Sequence, residues 1–289
     1  MTTETTHHMK KIFTIILMTL LTFAARPQSR IIYEESDSIR IEKILHDTTG
    51  HSTSGEQLLA IANGLIGEKY VGGTLEQGAE EPLFISCTKL DCTTFVELVL
   101  AIAKTANDKS HQFTDVCSNL ETIRYRNGQN NGYESRLHYI SWWITDGAKT
   151  GIIEEVTSQI SNKKQPLNLN FMSTHPGNYP MLAESPGVVK EIELMETPYR
   201  DIEVNYIPKE ELDYSGHNNI KPGDIIAITT SIPGLDVAHI GFAHYHNGNL
   251  CLLHASSNKG EVVKETTPLR DYLANNRRHT GIRVFRASF

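Results

Sequence analysis

One cysteine and two histidines are the residues of this sequence best suited to carry chemistry. Cys92 comes just before an apolar run with helical spacing, residues 95–103, so we expect it in the first turn of a largely buried helix. The unpaired backbone N–H groups and the positive dipole end of a helix favour a thiolate, the nucleophilic form of cysteine. A lone cysteine at such a position is more often a small core residue, so the assignment depends on its partners.

The candidate partners come from a predicted hairpin in the last fifth of the chain. Asn247 and Gly248 separate two apolar runs and are typical of a two-residue hairpin turn. With these two residues at the centre of the turn, His239 pairs with Ser256, and His254 lies on the same face one diagonal step away. A cysteine packed on that face would have His239 as a base and His254 to orient the base, as in thiol catalysis.

Each of these residues also has a purely structural interpretation. Either histidine alone could be an ordinary sheet residue, and Asp91 is expected to cap the helix that follows it. His244 and His246 form a His-x-His pair beside the turn, but no matching cysteine or carboxylate accompanies them, so no metal site is expected. Spacing alone therefore leaves a thiol enzyme and a non-catalytic protein about equally open.

Composition narrows the class of protein. The 289 residues are 39% hydrophobic and 21% charged, which fits a globular enzyme of one large domain or two small ones. The net charge of −7 and the scattered lysine and arginine residues argue against a nucleic-acid partner. The four cysteines allow two disulfides in three pairings, or a reactive free thiol; they are Cys87, Cys92, Cys117 and Cys251.

The N-terminal stretch resembles a targeting segment. Lys10 and Lys11 precede an uncharged run, 12–25, which is shorter than a membrane-spanning helix needs but suits a secretory signal. We therefore expect residues 1–29 to be a signal peptide and residues 30–289 to form one domain. The protein is then expected to be exported, with no stable membrane span after cleavage.

The order of predicted elements indicates an α+β fold. Ser54 begins a capping-box pattern ahead of an apolar helical face that ends near Gly67. After Lys221 the pattern changes to short strands, predicted at 225–230, 261–265 and 281–285 in addition to the hairpin. Helices followed by strands predict helices packed on an antiparallel sheet.

The middle of the chain, residues 107–220, gives the weakest pattern. Residues 120–128 fit either a strand or a helix that runs into a turn. Residues 136–144 are rich in aromatic side chains and are expected to be helical, ending near Gly147. No repeat or linker divides this region from the rest.

Separate motifs agree in order with one known group of proteins. Asp91-Cys92-Thr93-Thr94-Phe95 and His239-Ile240-Gly241 resemble the D-C-S/T-G and H-V/I-G motifs of the NlpC/P60 superfamily of cell-wall cysteine peptidases. More closely, the chain resembles the DUF1460 branch, described as N-acetylmuramoyl-L-alanine amidase-like. The segments that match this branch are 90–97, Arg124-Tyr125-Arg126-x-Gly128, Ser135-Arg136-Leu137-His138-Tyr139, Gly223-Asp224-Ile225-Ile226, Gly234-Leu235-Asp236-Val237-x-His239 and His254-Ala255-Ser256.

The resemblance implies a papain-like NlpC/P60 fold with the nucleophile at a helix N-terminus and an elaborated middle insertion. It implies Cys92 as the nucleophile, His239 as the general base and acid, and His254 as the orienting residue, with no metal and no other cofactor. More positions separate Tyr70 from Cys92 than is usual for the superfamily's tyrosine near the thiol. The residues expected to contact substrate are Tyr70, Asp91, Arg136, His138 and Asp236.

The resemblance also implies a reaction. A monomeric periplasmic enzyme would attack an amide carbonyl of peptidoglycan fragments with Cys92, and water would resolve the thioester. In the DUF1460 branch the bond joins (anhydro)N-acetylmuramic acid to L-Ala, whereas the commoner superfamily activity cuts γ-D-Glu from the diamino acid. A thiol acyltransferase and a non-enzymatic wall-binding module are alternatives of other classes.

Overall fold

The computed structural model describes residues 30–48, 53–76, 78, 80–217 and 219–289. The predicted signal peptide lies outside the described residues. Within them the helices are α1 (Glu35–Asp47), α2 (Ser54–Asn63), α3 (Cys92–Asn107), α4 (Phe113–Arg124), α5 (Ile140–Lys149), α6 (Phe171–Thr174), α7 (Pro180–Ala183), α8 (Pro186–Glu196) and α9 (Leu269–Ala274). The strands are β1 (Ile31–Ile32), β2 (Lys69–Tyr70), β3 (Leu83–Phe84), β4 (Lys89–Leu90), β5 (Ile153–Glu155), β6 (Lys164–Leu167), β7 (Ile202–Asn205), β8 (Ile207–Pro208), β9 (Ile225–Thr230), β10 (Val237–His246), β11 (Asn249–Ser256), β12 (Glu261–Lys264) and β13 (His279–Ala287).

A curled sheet that is mostly antiparallel organises the described chain. Its strand order is β4-β2-β12-β11-β10-β9-β13-β5, with β8 paired to β13 as well. Only the short pair β2 and β4 is parallel within it. Two small sheets, β1 with β3 and β6 with β7, lie outside it. The predicted α+β class is confirmed.

The central strands are apolar on both faces because both faces are covered. In β9, Ile225 and Ala227 join a core cluster that contains the apolar residues of α3. Ile226 and Ile228 point the other way, into a second cluster with Leu269 of α9. A strand buried on both faces gives a continuous apolar run instead of an alternating one, which is why β9 was readable as an uninterrupted run.

The predicted hairpin is confirmed in its turn and its register. β10 pairs with β11 from His246 opposite Asn249 to Phe242 opposite Leu253. Asn247 has φ 49° and Gly248 has φ 79°, as a primed two-residue turn requires. On its other side β10 shifts register against β9 between Val237 and His239, and such a bulge redirects the side chains beside it.

Two local predictions are wrong by a few residues. The hydroxyl of Thr53, and not that of Ser54, accepts the N–H of Glu56 and caps α2, while the Ser54 hydroxyl donates to the carbonyl of Phe289. The same helix ends before Gly64, short of the predicted Gly67. Thr53 has the better cap position because it precedes the first helical residue in extended conformation.

The middle segment contains α4 and α5, and α5 begins later than the aromatic pattern predicted. Residues up to Arg124 belong to α4, which settles the strand-or-helix alternative for most of 120–128. Arg136 forms an isolated bridge with Tyr125, so the chain is extended there and α5 begins only at Ile140. None of the described helices combines the length and the apolar character that crossing a membrane would require.

Candidate active site

Cys92 is the first residue of α3, as the apolar spacing predicted. The carboxylate of Asp91 accepts the N–H groups of Thr93 (3.1 Å) and Thr94 (2.8 Å), and the Thr94 hydroxyl accepts the N–H of Asp91 (2.8 Å). This reciprocal cap fixes the first turn of the helix. The predicted capping role of Asp91 is confirmed, and the same residue lines the cleft beside the thiol.

The Cys92 thiol is half-buried between α3 and β10. Its sulfur is hydrogen-bonded to the backbone of Ile240, the residue after His239. Burial is the largest influence on the thiol, followed by the negative charge of Asp91, and together they raise its pKa to about 11 against the smaller lowering effect of the hydrogen bonds from Ile240 and Thr93. The raised pKa contradicts the expected thiolate, because burial and the charge of Asp91 outweigh the hydrogen bonds that favour the charged form.

None of the cysteines is in a disulfide. Cys87, Cys117 and Cys251 are buried free thiols, and Cys92 is the one that is partly accessible. Of the two alternatives that the cysteine count allowed, disulfides or a free thiol, the structure therefore has free thiols. Cys92 is therefore the thiol most accessible to a reagent in solution.

His239 and His254 lie in contact, as the hairpin register predicted. Nε2 of His239 is 2.5 Å from Nδ1 of His254, and the two rings are perpendicular, with centroids 4.7 Å apart. Burial, with His254 and His279 nearby, holds the pKa of His239 well below its usual range. Both imidazoles are therefore neutral at neutral pH, since burial also lowers the pKa of His254.

Tyr70 lies close to the thiol in spite of its distance in sequence. β2 runs parallel to β4 with Tyr70 opposite Leu90, two residues before Cys92, so the intervening loop returns the chain to the same point. Burial raises the pKa of Tyr70 to about 12, with smaller contributions from Cys92 and Asp91. The phenol therefore keeps its proton and is a hydrogen-bond donor beside the sulfur.

A cleft of about 220 Å³ opens next to Cys92. Its walls come from the α3 terminus, the loop after β2, the middle segment and the loop before β10. The lining residues are Gly73, Leu75, Glu76, Asp91, Thr93, Glu97, Arg136, Leu137, His138, Tyr139, Met172, Tyr179 and Leu235. The middle segment, which contains the expected substrate contacts Arg136 and His138, thus contributes to a pocket beside the thiol.

Arg136 and His138, the two predicted substrate contacts of the middle segment, differ in the hydrogen-bonding groups that they leave free for a substrate. Arg136 is buried, and its guanidinium donates to the carbonyl of Leu75 (2.8 Å) and pairs with Glu76 and Glu81, so it holds the loop after β2. Nε2 of His138 is 2.8 Å from the carbonyl of Tyr133 and must donate to it. Burial and the charge of Arg136 lower the pKa of His138 far below its usual range, which leaves a neutral ring with Nδ1 as an acceptor.

Asp236 is placed differently from the other predicted contacts. Its carboxylate accepts the N–H of Ser141 (2.7 Å) and that of Val237 (2.8 Å), and it is buried. It thus caps the first turn of α5 and joins that helix to the start of β10. Its neighbour Leu235 lines the cleft, so Asp236 helps to hold the chain that forms this wall. Direct contact of Asp236 with substrate stays a prediction.

Two residues near the thiol were missed by the sequence reasoning. Glu265 lies just after β12, with Oε1 3.5 Å from Nε2 of His254. Tyr272 of α9 presents its ring edge-on to His254, with centroids 5.6 Å apart, and its pKa is raised first by burial and then by Glu265 and Cys92. Extending the hairpin register to the next predicted strand would have brought Glu265 near His254; no local signal marks Tyr272.

Comparison with known proteins identifies the family of this chain. The model of the AmiA-like family, described as N-acetylmuramoyl-L-alanine amidase-like, matches residues 60–282. The chain belongs to this family. No match was found among curated proteins.

Solved structures agree with that placement. A Bacteroides uniformis protein named N-acetylmuramoyl-L-alanine amidase is 42% identical over 82% of this chain and 99% of its own, with a TM-score of 0.79. A Bacteroides fragilis protein, provisionally named a xylanase, is 47% identical over 78% of this chain and 98% of its own, with a TM-score of 0.75. A Legionella pneumophila protein of the DUF1460 family shares the fold at 22% identity, over 87% of this chain and 94% of its own, with a TM-score of 0.64.

Proposed function

We propose that this protein is a cysteine amidase that cleaves the bond between (anhydro)N-acetylmuramic acid and L-Ala in peptidoglycan fragments. The observation that carries the proposal is the contact of His239 with His254 beside a half-buried thiol, in a chain of the amidase-like family. A nucleophile, a base and a group that orients the base are the parts that thiol catalysis requires.

The reaction begins from a neutral thiol and a neutral imidazole. The sulfur of Cys92 attacks the carbonyl carbon of the lactyl group while the thiol proton passes to His239. The tetrahedral intermediate then expels the amine of L-Ala, which takes that proton from His239, and an S-acyl bond to Cys92 remains. Water, deprotonated by His239, attacks this thioester and restores the thiol.

Few donors are available for the oxyanion of the intermediate. Asp91 occupies the N–H groups of Thr93 and Thr94, which leaves the N–H of Cys92 itself as the donor in the first turn of α3. The Tyr70 phenol is a second candidate, since its raised pKa keeps it protonated. Donors fixed where charge develops are the largest single source of such catalysis.

A glycosidase is disfavoured by the same residues. Hydrolysis of a glycosidic bond needs two carboxyl groups that face the sugar. In this cleft Asp91 caps α3, Glu97 is paired with Arg124 at 2.7 Å, and Glu76 is paired with Arg136. The carboxylates are thus committed to structure, whereas the thiol and imidazoles are not.

The wider assignment rests on the same family. We propose that residues 30–289 form one catalytic domain of papain-like NlpC/P60 type, because a single apolar cluster includes residues from Ile41 to Phe285. We further propose that residues 1–29 direct export to the periplasm, that the enzyme works as a monomer without a cofactor, and that its partners are muropeptides. Peptidoglycan is outside the cytoplasmic membrane, which agrees with the sequence of the first 29 residues.

Mass spectrometry of muropeptides after incubation with the enzyme tests the proposal. Free sugar together with intact stem peptide is the expected product. Cys92→Ala and His239→Ala should each abolish cleavage, while Cys117→Ala and His246→Ala, matched changes outside the site, should retain it. Release of L-Ala–D-Glu, free or still attached to sugar, would identify a γ-D-glutamyl endopeptidase instead, and full activity of Cys92→Ala would rule out a thiol mechanism.

A further inference from the structure

Behind the two histidines lies a buried carboxylate that the proposed reaction does not yet use. Glu265 is buried, and its Oε1 is 3.5 Å from Nε2 of His254. Its other oxygen, Oε2, is 3.0 Å from Nζ of Lys259. The N–H of Glu265 donates to the carbonyl of Leu252 at 2.8 Å, so the backbone of β11 fixes where this carboxylate lies.

Glu265, His254 and His239 are in contact in that order, and Cys92 lies beside His239 through its hydrogen bond to the backbone of Ile240. Nε2 of His254 is buried and makes no hydrogen bond of ordinary geometry to another described residue, and the Glu265 carboxylate lies 3.5 Å from it. Because a carboxylate can only accept, its negative charge favours a neutral His254 with the proton on Nε2. Its Nδ1 is then an acceptor, and Nε2 of His239, 2.5 Å away, must donate to it. A neutral His239 with its proton on Nε2 has an unprotonated Nδ1, the one nitrogen left for the thiol of Cys92 and the form that a base requires.

The opposite arrangement would disable the base. If His254 carried its proton on Nδ1, His239 would have to accept it at Nε2 and would hold its own proton on Nδ1. That nitrogen could then take no proton from Cys92. Two neutral histidines in contact therefore have one competent and one incompetent arrangement, and a group at the far end of the pair decides between them.

We propose that Glu265 is a positioning residue that selects the competent arrangement of the His239–His254 pair. This inference rests on the proposed function. In the reaction Glu265 neither gains nor loses a proton: the thiol proton moves to Nδ1 of His239, and the positive charge that appears there is stabilised through His254 by the carboxylate. Glu265 lies behind His254 and outside the cleft, so it acts without touching substrate.

Among the groups that act on the pair in the described part of the chain, Glu265 is the acidic one. Tyr272 of α9 presents its ring edge-on to His254, with centroids 5.6 Å apart, and stacks on His279 of β13 with centroids 6.1 Å apart. His279 and His254 disfavour the charged form of His239. Lys259 disfavours the charged form of His254, whereas Glu265 favours it and raises the pKa of His254 against the larger effect of burial.

Glu265→Gln is the decisive variant because it keeps the volume and removes the charge. A Gln amide accepts through its oxygen and donates through its nitrogen, so both arrangements of the pair become available. We expect kcat on a purified anhydro-N-acetylmuramoyl tripeptide to fall by about tenfold or more, as for other changes that release a catalytic histidine from its orienting group. KM should stay unchanged. Glu261→Gln, an exposed change on β12, is the matched control and should keep wild-type kcat.

Long-range ¹H–¹⁵N spectra of the histidine rings give a measurement that does not need activity. The wild type should show protons on Nε2 of both His239 and His254 at neutral pH, and Glu265→Gln should show a mixture. Unchanged kcat in Glu265→Gln, or unchanged ring protonation with reduced kcat, would overturn the assignment. If the wild type fails to cleave the fragment, the proposed function fails, and the spectra still decide the role of Glu265.

Discussion

The ion pair between Glu97 of α3, the helix that begins at Cys92, and Arg124 of α4 should contribute strongly to the free energy of unfolding. Nε of Arg124 is 2.7 Å from Oε2 of Glu97, and their side chains are 2% and 4% exposed. Arg124 also donates to the carbonyl of Phe84 at 2.6 Å. Arg124→Met leaves the Glu97 carboxyl buried without its cation, and burial already raises the pKa of that carboxyl.

Removing one partner of a buried pair costs about 3–5 kcal/mol in unfolding free energy. For a domain of this size each kcal/mol corresponds to about 2–4 °C in Tm, so Arg124→Met should lower Tm by roughly 6–20 °C. The double variant Arg124→Met/Glu97→Leu should recover most of that loss, because an apolar pair of similar volume avoids the desolvation cost. Urea unfolding followed by circular dichroism gives the four free energies of the cycle.

The control is an ion pair at the exposed end of the same helix. Lys104 and Asp108 pair at the i,i+4 spacing with side chains 24% and 44% exposed, and such pairs contribute about 0.3–0.5 kcal/mol. Lys104→Met should therefore change stability by less than about 1 kcal/mol. A loss of that small size in Arg124→Met, or a double variant no more stable than Arg124→Met alone, would refute the reasoning.

Three further outcomes follow from the site. Alkylation of Cys92 by iodoacetamide should be about 100-fold slower near pH 7.5 than that of a thiol of pKa 9.0 and should rise tenfold per pH unit; a rate that levels off below pH 7 would indicate a thiolate–imidazolium pair. Asp236→Ala should cost about 1–2 kcal/mol in urea unfolding through loss of the α5 cap, whereas Asp213→Ala, in an exposed loop, should not. The free energy of unfolding should be highest above pH 6.5 and decrease below it. Burial lowers the pKa values of His138 and His254 in the folded state, so these residues take up protons on unfolding at lower pH. A Tm that stays constant from pH 7 to 5 would contradict this.

The hairpin was predictable because its information is local. A primed turn at Asn247-Gly248 and apolar runs on both sides fix the register, and the contact of His239 with His254 follows from it. The bulge between Val237 and His239 was not predictable, since it depends on how β10 meets β9. The start of α3 was predictable for the same local reason, as both the Asp91 cap and the apolar spacing lie within the helix.

The cleft was much less predictable because its walls are held by contacts distant in sequence. Arg136 fixes the loop after β2 through Glu76 and Glu81, and Asp236 fixes the start of α5 through Ser141. No periodicity within residues 107–220 encodes such pairs. The motif resemblance identified Arg136 and Asp236 as residues of interest, but only the structure separates residues that hold the cleft from residues that face it.

Burial gives both members of the proposed catalytic pair the same preference for the neutral state. It raises the pKa of the Cys92 thiol and lowers that of the His239 imidazole, so the cost of forming a thiolate and an imidazolium together is high in the resting site. Charge then forms only when a carbonyl is in position to be attacked by the sulfur. Tyr70 and the Cys92 N–H then donate hydrogen bonds to the oxyanion, and Glu265 stabilises the imidazolium. A site of this kind should react slowly with small alkylating reagents, which bring no oxyanion, and fast with an amide that fills the cleft.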